Sequence, residues 1–217
     1  MRRLLGLVSG GKDSLYALFL AYLHSFDVVS LGTVRPREGT LLFHEPNVDF
    51  VRIHADLLGL PLVEVRRWEE EALRDLFCKA KEKFGVNWVS VGALASDFQR
   101  LRFVWTASEC GIKVYSPLWH LKPERYVRKL VEDGFRFIIV SAGVYELRDW
   151  VGREIGPENV EKLVDLAKEG RFHPAGEGGE YETFVTDAPF FSKRIRVKGE
   201  RRGGMFYIRE VELVDKN

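Results

Sequence analysis

Short apolar runs alternate with stretches of helical spacing along the first 120 residues, and that rhythm restricts the chain to a small group of folds. Leu4–Val8 reads as a buried strand, Asp13–His24 as a helix and Val28–Val34 as a second strand. Asn47–Leu58 has helical spacing at Phe50, Ile53, Leu57 and Leu58, and Gly59 follows as a stop. Leu62–Val65 is a third strand. Glu69–Phe84 is an amphipathic helix with Ala72, Leu73, Leu76, Phe77 and Ala80 on one side and Gly85 at its end. Trp88–Ala93, a helix over Asp97–Cys110 closed by Gly111, and a short strand at Lys113–Tyr115 complete the series. Strands that are apolar throughout and separated by helices predict a five-stranded parallel sheet with helices on both faces and right-handed crossovers. In such sheets ligands bind beyond the carboxyl ends of the strands, where strand order reverses.

The rhythm changes after Trp119. A helix over about Pro123–Asp133 leads to a strand at Phe135–Val140, and a second helix is expected over Pro157–Glu169, with proline in its first turn. A Gly- and Glu-rich loop follows, then strands near Thr183–Thr186, Ile195–Val197 and Phe206–Leu213. This reads as a smaller α+β domain, with the division at 1–120 and 121–217.

The bulk composition excludes several classes. Of 217 residues, 46% are hydrophobic and 30% charged, as in ordinary globular domains. The formal net charge of +1 provides no global field for nucleic acid or membrane. No run approaches the ~20 apolar residues of a membrane-spanning helix. Arg2 and Arg3 precede apolar residues, but that run is short and is broken by Lys12 and Asp13, which argues against an export signal. The two cysteines, Cys78 and Cys110, lie far apart in sequence and form no CxxC or metal-type pair, so neither a disulfide nor a cysteine zinc site is expected. A cytoplasmic location follows, and the high Glu, Lys and Arg content agrees with a heat-loving source.

The first strand-to-helix junction reads Val8-Ser9-Gly10-Gly11-Lys12-Asp13-Ser14. Gly6, Gly11 and Lys12 match part of the Walker pattern G-x-x-x-x-G-K-[ST], but Asp13 stands where that pattern needs a hydroxyl for magnesium. Ser9-Gly10-Gly11 is instead a short turn in which consecutive backbone N–H groups can converge into an anion nest, aided by the positive end of the following helix. Lys12 adds a charge, and Asp13 and Ser14 can cap the helix or reach a metal. Such a loop suits a leaving pyrophosphate, with cleavage between the α- and β-phosphates of a nucleotide.

The string SGGKDS resembles the signature of the PP-loop, or N-type, ATP pyrophosphatases, whose members adenylate a carbonyl oxygen, release pyrophosphate and let a nucleophile displace AMP. Two further stretches, Gly92-Ala93-Leu94-Ala95-Ser96-Asp97-Phe98-Gln99-Arg100-Leu101-Arg102 with Ser116-Pro117-Leu118-Trp119, and Gly176-Glu177-Gly178-Gly179-Glu180-Tyr181-Glu182-Thr183, are similar to the diphthine–ammonia ligase family. The resemblance spans nearly the whole chain. It implies a Rossmann-like sheet of the PP-loop, adenine nucleotide alpha hydrolase-like type, with a smaller C-terminal α+β substrate domain. It also implies ATP and Mg2+ as cofactors. The implied reaction is amidation by free ammonium of the diphthine carboxylate on elongation factor 2, through an acyl-adenylate. Neither cysteine lies in a setting for a glutaminase nucleophile or for sulfur transfer.

The resemblance assigns Ser9, Gly10, Gly11, Lys12, Asp13, Ser14, Thr33, His44 and Gly92 to the nucleotide, with Asp13 as the metal ligand. Asn47 is a further candidate beside His44, at the end of the second strand. Lys12, Asp13, Arg100, Glu177 and Glu180 are the catalytic candidates. Ser96, Asp97, Gln99, Arg102, Gly178, Gly179, Tyr181, Glu182 and Thr183 are the acceptor-binding candidates, with His173 close to the acidic turn. Taken by themselves, Glu177, Glu180 and Glu182 crowd negative charge into six residues, which serves a cation: a quaternary ammonium held with the Tyr181 ring, a magnesium ion, or a proton taken from the attacking ammonium. The plainer reading is a solvated acidic loop. Asp97 can equally be a helix cap, and Arg100 or Arg102 can neutralise phosphate or pair with surface acids. Lys193, Arg194, Arg196, Lys198, Arg201 and Arg202 read first as a solvated strand face and second as a surface for an acidic partner or ribosomal RNA. The near-neutral charge speaks against the rival of a tRNA-modifying ligase. A nucleotide-binding protein without turnover is the other rival, and a homodimer is compatible with the chain.

Overall fold

The computed structural model describes residues 1–35, 50–66 and 69–216. The chain divides into two compact units, Met1–Trp119 and His120–Asn217.

The first unit alternates strand and helix: β1 (Arg3–Leu7), α1 (Lys12–Leu23), β2 (Asp27–Arg35), α2 (Val51–Leu58), β3 (Leu62–Arg66), α3 (Glu69–Phe84), β4 (Trp88–Ser90), α4 (Asp97–Glu109) and β5 (Lys113–Tyr115). The five strands form one parallel sheet in the order β3-β2-β1-β4-β5. Strand order therefore reverses at β1, and the crevice between the carboxyl ends of β1 and β4 is the switch point where such sheets bind ligands.

Two glycines place helices on opposite faces. Gly6 pairs with Leu31, and a Cβ on Gly6 would meet Leu18 Cδ1 of α1 at 2.6 Å. Gly32 follows Leu31 and so faces the other way, where a Cβ would meet Leu76 Cδ2 of α3 at 3.1 Å. Leu5, Val65, Leu73, Leu76, Phe77, Val89, Val91, Ala107 and Ile112 close the core on the α3 and α4 side. Each large apolar side chain buried there contributes about 1.5–3 kcal/mol.

The cysteines correct the sequence expectation. Cys78 on α3 and Cys110 at the carboxyl end of α4 form a disulfide across a sequence separation of 32, with Cα atoms 5.3 Å apart. Sequence spacing hid the pair because it is made by two helices packing on one sheet face. Lys81 Nζ strengthens the same seam by donating to Cys110 O at 2.7 Å.

The second unit is an antiparallel α+β layer. It contains α5 (Pro123–Glu132), β6 (Arg136–Ala142), a 3₁₀ turn (Tyr145–Trp150), β7 (Glu154–Ile155), α6 (Val160–Gly170), β8 (Tyr181–Asp187), β9 (Arg194–Arg202) and β10 (Met205–Val214). Strand β6 pairs with β7, β8 and β10, and β10 pairs with β9 in a long hairpin. Helix α6 starts three residues later than Pro157. The Asn159 side chain accepts from Gly156 N at 2.9 Å and donates to Glu154 O at 2.8 Å, which holds the preceding residues in a turn. The basic run lies on β9 and the residue before it, and five of its six residues meet acids: Lys193 with Asp215, Arg194 with Glu154, Arg196 with Glu212, Lys198 with Glu210 and Arg202 with Glu200. These pairs balance most of the run's charge within the unit.

Candidate functional site

In the first unit the turn after β1 is held by its own hydroxyls. Ser14 Oγ accepts from Ser9 N at 3.2 Å and donates to Gly11 O at 3.0 Å, and Ser9 Oγ accepts from Gly11 N at 3.4 Å. Gly10 takes φ +86°, a conformation that a side chain would strain. Gly11 is the N-cap of α1 and supplies no side-chain cap, so the helix end faces the crevice through backbone alone. Turns of this form receive anions on their backbone N–H groups; here Ser9 N and Gly11 N rest on the loop's own hydroxyls. Gly6 lies within β1 and packs strand on helix, so its Walker-like spacing plays no part in the loop.

Lys12 is only 1% exposed, and its Nζ lies 3.0 Å from Asp13 Oδ2. The lysine thus supports the loop from beneath, and Asp13, with a side chain 30% exposed, is the charge nearest the surface. Thr33 is buried within β2. His44 and Asn47 lie outside the described residues.

Gly92 sits just past β4, on the other wall of the crevice. A Cβ there would lie 2.6 Å from Asp13 C and 2.7 Å from Ser14 N. The residue is a glycine because two backbones touch, one from each side of the switch point. The same loop runs into α4, where Ser96 is the N-cap and its Oγ accepts from Gln99 N at 3.3 Å. Asp97 is the first helical residue, not the cap, and it meets Arg100 at 3.5 Å. The Arg100 guanidinium lies 4.7 Å from the centre of the Trp119 ring, and its Nε is buried without a hydrogen-bond partner among the described residues. The sequence motif contains both residues; the stacking that orients the arginine is visible only in three dimensions. The Arg102 side chain is partly buried on the same helix.

In the second unit the acidic turn is knitted by its own side chains. The Glu180 carboxylate accepts from His173 N at 3.1 Å and from Gly178 N at 2.8 Å. His173 Nδ1 accepts from Ala175 N and Glu177 N, both at 3.3 Å. The Tyr181 hydroxyl donates to Pro174 O at 2.6 Å, and the residue is 2% exposed. Gly176 and Gly179 both take positive φ. Gly143 N donates to Glu180 O at 2.7 Å, and a Cβ on Gly143 would lie 2.4 Å from Gly179 O. Gly143 was not singled out in the sequence, although a glycine just past a strand end is the available signal.

These contacts redistribute the expected roles. A buried Tyr181 presents no open ring face to a quaternary ammonium, which corrects the sequence reading, and Glu180 clasps backbone N–H groups. Glu177 is half-buried on the turn, Gly178 and Gly179 are exposed, and Glu182 is exposed on β8 beside the half-buried Thr183. Among the described residues, no group of three or more His, Cys, Asp and Glu side chains is placed to hold a metal ion. No helix among them is long and apolar enough to cross a membrane.

The diphthamide synthase N-terminal domain model matches residues 2–114, and the diphthamide synthase C-terminal domain model matches residues 122–214. The chain belongs to the diphthamide synthase family. Its curated relatives include a diphthine–ammonia ligase of Schizosaccharomyces pombe, 31% identical over 89% of this chain and 36% of that protein. The diphthine–ammonia ligase of Rattus norvegicus is 29% identical over 90% of this chain and 82% of that protein. The chain therefore spans about a third of the yeast relative and most of the rat one. Among solved structures, the U34-tRNA thiolase NcsA from Methanococcus maripaludis aligns over 82% of this chain and 70% of that chain, at 14% identity and a TM-score of 0.38. That likeness is too slight to bear on function.

Proposed function

We propose that this member of the diphthamide synthase family is an ATP-dependent ligase that forms a C–N bond, amidating the carboxylate of diphthine on elongation factor 2 with ammonium. The observation that carries the reading is the Ser9–Ser14 cradle at the switch point, pressed by Gly92 from the opposite wall. The names of the curated relatives support the substrate.

In this reading the first unit holds ATP and the second recognises the acceptor. The triphosphate lies in the cradle, where backbone N–H groups and the α1 dipole favour its charge. A carboxylate oxygen of the acceptor bonds to the α-phosphorus as the bond to the β-phosphate oxygen breaks. Pyrophosphate leaves, and an acyl-adenylate remains. Ammonia then bonds to the acyl carbon, AMP departs with the former carboxylate oxygen, and the nitrogen loses a proton. In this reading Arg100, which contacts Trp119 and Asp97, takes up phosphate charge. Asp13 would be the residue to hold a magnesium ion, which would neutralise phosphate charge. In the second unit Glu177 is the half-buried carboxylate of the acidic turn, while Glu180, His173 and Tyr181 keep that turn in shape.

The test is purified protein with diphthine-bearing elongation factor 2, ATP and ammonium. AMP and amidated product should appear in equal amounts. ADP in place of AMP overturns the superfamily chemistry, and AMP without amide overturns the substrate.

A further inference from the structure

Helix α4 carries an apolar stripe that nothing among the described residues of the first unit covers. Phe98 is 77% exposed, Leu101 38% and Trp105 68%. Their spacing of three and four residues puts them on one face of the helix. The opposite face is occupied: Ala107 and Cys110 are in the core, Phe103 packs against it, and Arg100 lies over Trp119. The stripe is therefore surplus to the stability of the unit. Bare aromatic side chains at two of three positions cost solubility, which a chain with 30% charged residues can easily avoid.

Its position indicates the occupant. The stripe starts at Phe98, two residues after the Ser96 cap and six after Gly92, whose backbone touches the first turn of α1. It runs from the ligand-binding edge of the sheet toward the far end of the helix for about 10 Å, at ~1.5 Å per residue. An acceptor carboxylate presented by a folded protein must reach that edge, and a protein too large for a pocket is recognised by the surface around it.

Area argues against a stable pairing of two copies through this face. With about 150–250 Å² available on each aromatic side chain, the exposed part of the stripe is on the order of 400 Å². A stable interface buries ~800 Å² per partner, whereas ~300–600 Å² is the range of functional patches on monomers and suits a transient encounter.

We infer that the Phe98–Leu101–Trp105 face of α4 is the docking ridge for the protein that carries the acceptor carboxylate, engaging an apolar patch beside the modified residue. The inference rests on the proposed amidation, and its test separates the two. The double variant Phe98→Ser/Trp105→Ser is compared with wild type in direct binding to diphthine-bearing elongation factor 2 by calorimetry, and in amidation at rising elongation factor concentration. Exposed positions leave folding intact, and an unchanged melting curve checks this. The inference expects at least tenfold weaker binding and a matching rise in KM for the elongation factor, with kcat at saturation and KM for ATP within twofold of wild type. Equal binding by variant and wild type overturns it. A wild type that binds without amidating removes the proposed reaction and leaves the ridge to be decided by the variant's binding. A wild type that does not bind removes both. Loss of self-association in the variant, with elongation factor binding intact, assigns the face to a second copy and overturns the inference.

Discussion

Replacing Gly92 by alanine tests the switch-point geometry with a single methyl group. The added Cβ would sit 2.6 Å from Asp13 C, 2.7 Å from Ser14 N and 2.8 Å from Asp13 O. Carbon contacts settle near ~3.5 Å, so the two backbones must part by close to 1 Å. All three neighbouring atoms are backbone, and no flexible side chain can swing aside. Forced overpacking of this kind costs about 1–3 kcal/mol. At roughly 4 °C per kcal/mol for a domain of this size, Tm falls by about 4–12 °C. The functional loss is larger than the stability loss. The displaced atoms belong to the first turn of α1, and misplacement by ~1 Å at a reacting centre costs on the order of 100-fold in rate. The assay is AMP formation with acceptor and ammonium, read as kcat/KM for ATP at a temperature where the variant is fully folded. A Gly92→Ala protein with wild-type kcat/KM and wild-type Tm refutes the claim that the two walls of the crevice touch here.

Three further outcomes follow from other contacts. Glu180→Gln replaces one acceptor oxygen of the clasp with an amide that faces a backbone N–H, which costs about 1.5–3 kcal/mol at a charge-assisted bond; the second unit should melt earlier while the pH–rate profile keeps its acidic limb, and loss of that limb would make Glu180 the base. The double variant Cys78→Ser/Cys110→Ser removes a bridge that closes a sequence separation of 32, worth about 3–4 kcal/mol by loop entropy; thermal melts under oxidising conditions should drop by roughly 15 °C for this unit, and an unchanged melt would show the bridge is idle. Burial raises the Tyr115 hydroxyl above the ordinary tyrosine value of 10.0, with Arg2 opposing. A raised acid contributes stability below that value and loses it as pH climbs through the shifted one, so the stability gap between wild type and Tyr115→Phe should shrink as pH rises above 10.

Much of the first unit was legible in the chain. Apolar runs bounded by glycine marked β1 to β5, and the Ser9–Ser14 string marked the ligand end of the sheet. Helix α4 was visible with its cap, although the cap proved to be Ser96. The disulfide was not legible, because helix packing brings Cys78 to Cys110 and no local spacing records it. The start of α6 was misplaced because Asn159 stabilises a turn where Pro157 favours a helix. The two-residue strand β7 and the 3₁₀ turn at Tyr145–Trp150 carry too few residues to show a period. In the acidic turn the sequence shows the residues but not their contacts. Three glutamates look alike in sequence, and only backbone N–H positions distinguish Glu180, which holds the loop, from Glu177 on the turn and Glu182 on the strand. The ridge on α4 was written in Phe98, Leu101 and Trp105, yet a stripe at helical spacing reads as core until the structure shows which side is covered.

The account turns on attack by the acceptor carboxylate at the α-phosphorus of ATP, and isotope transfer measures that directly. Diphthine on elongation factor 2 would be prepared with 18O in its carboxylate and incubated with the protein, ATP and ammonium, and the released AMP analysed by mass spectrometry. An acyl-adenylate requires one labelled oxygen in each AMP formed. AMP that carries only unlabelled oxygen, while amide accumulates, contradicts the account.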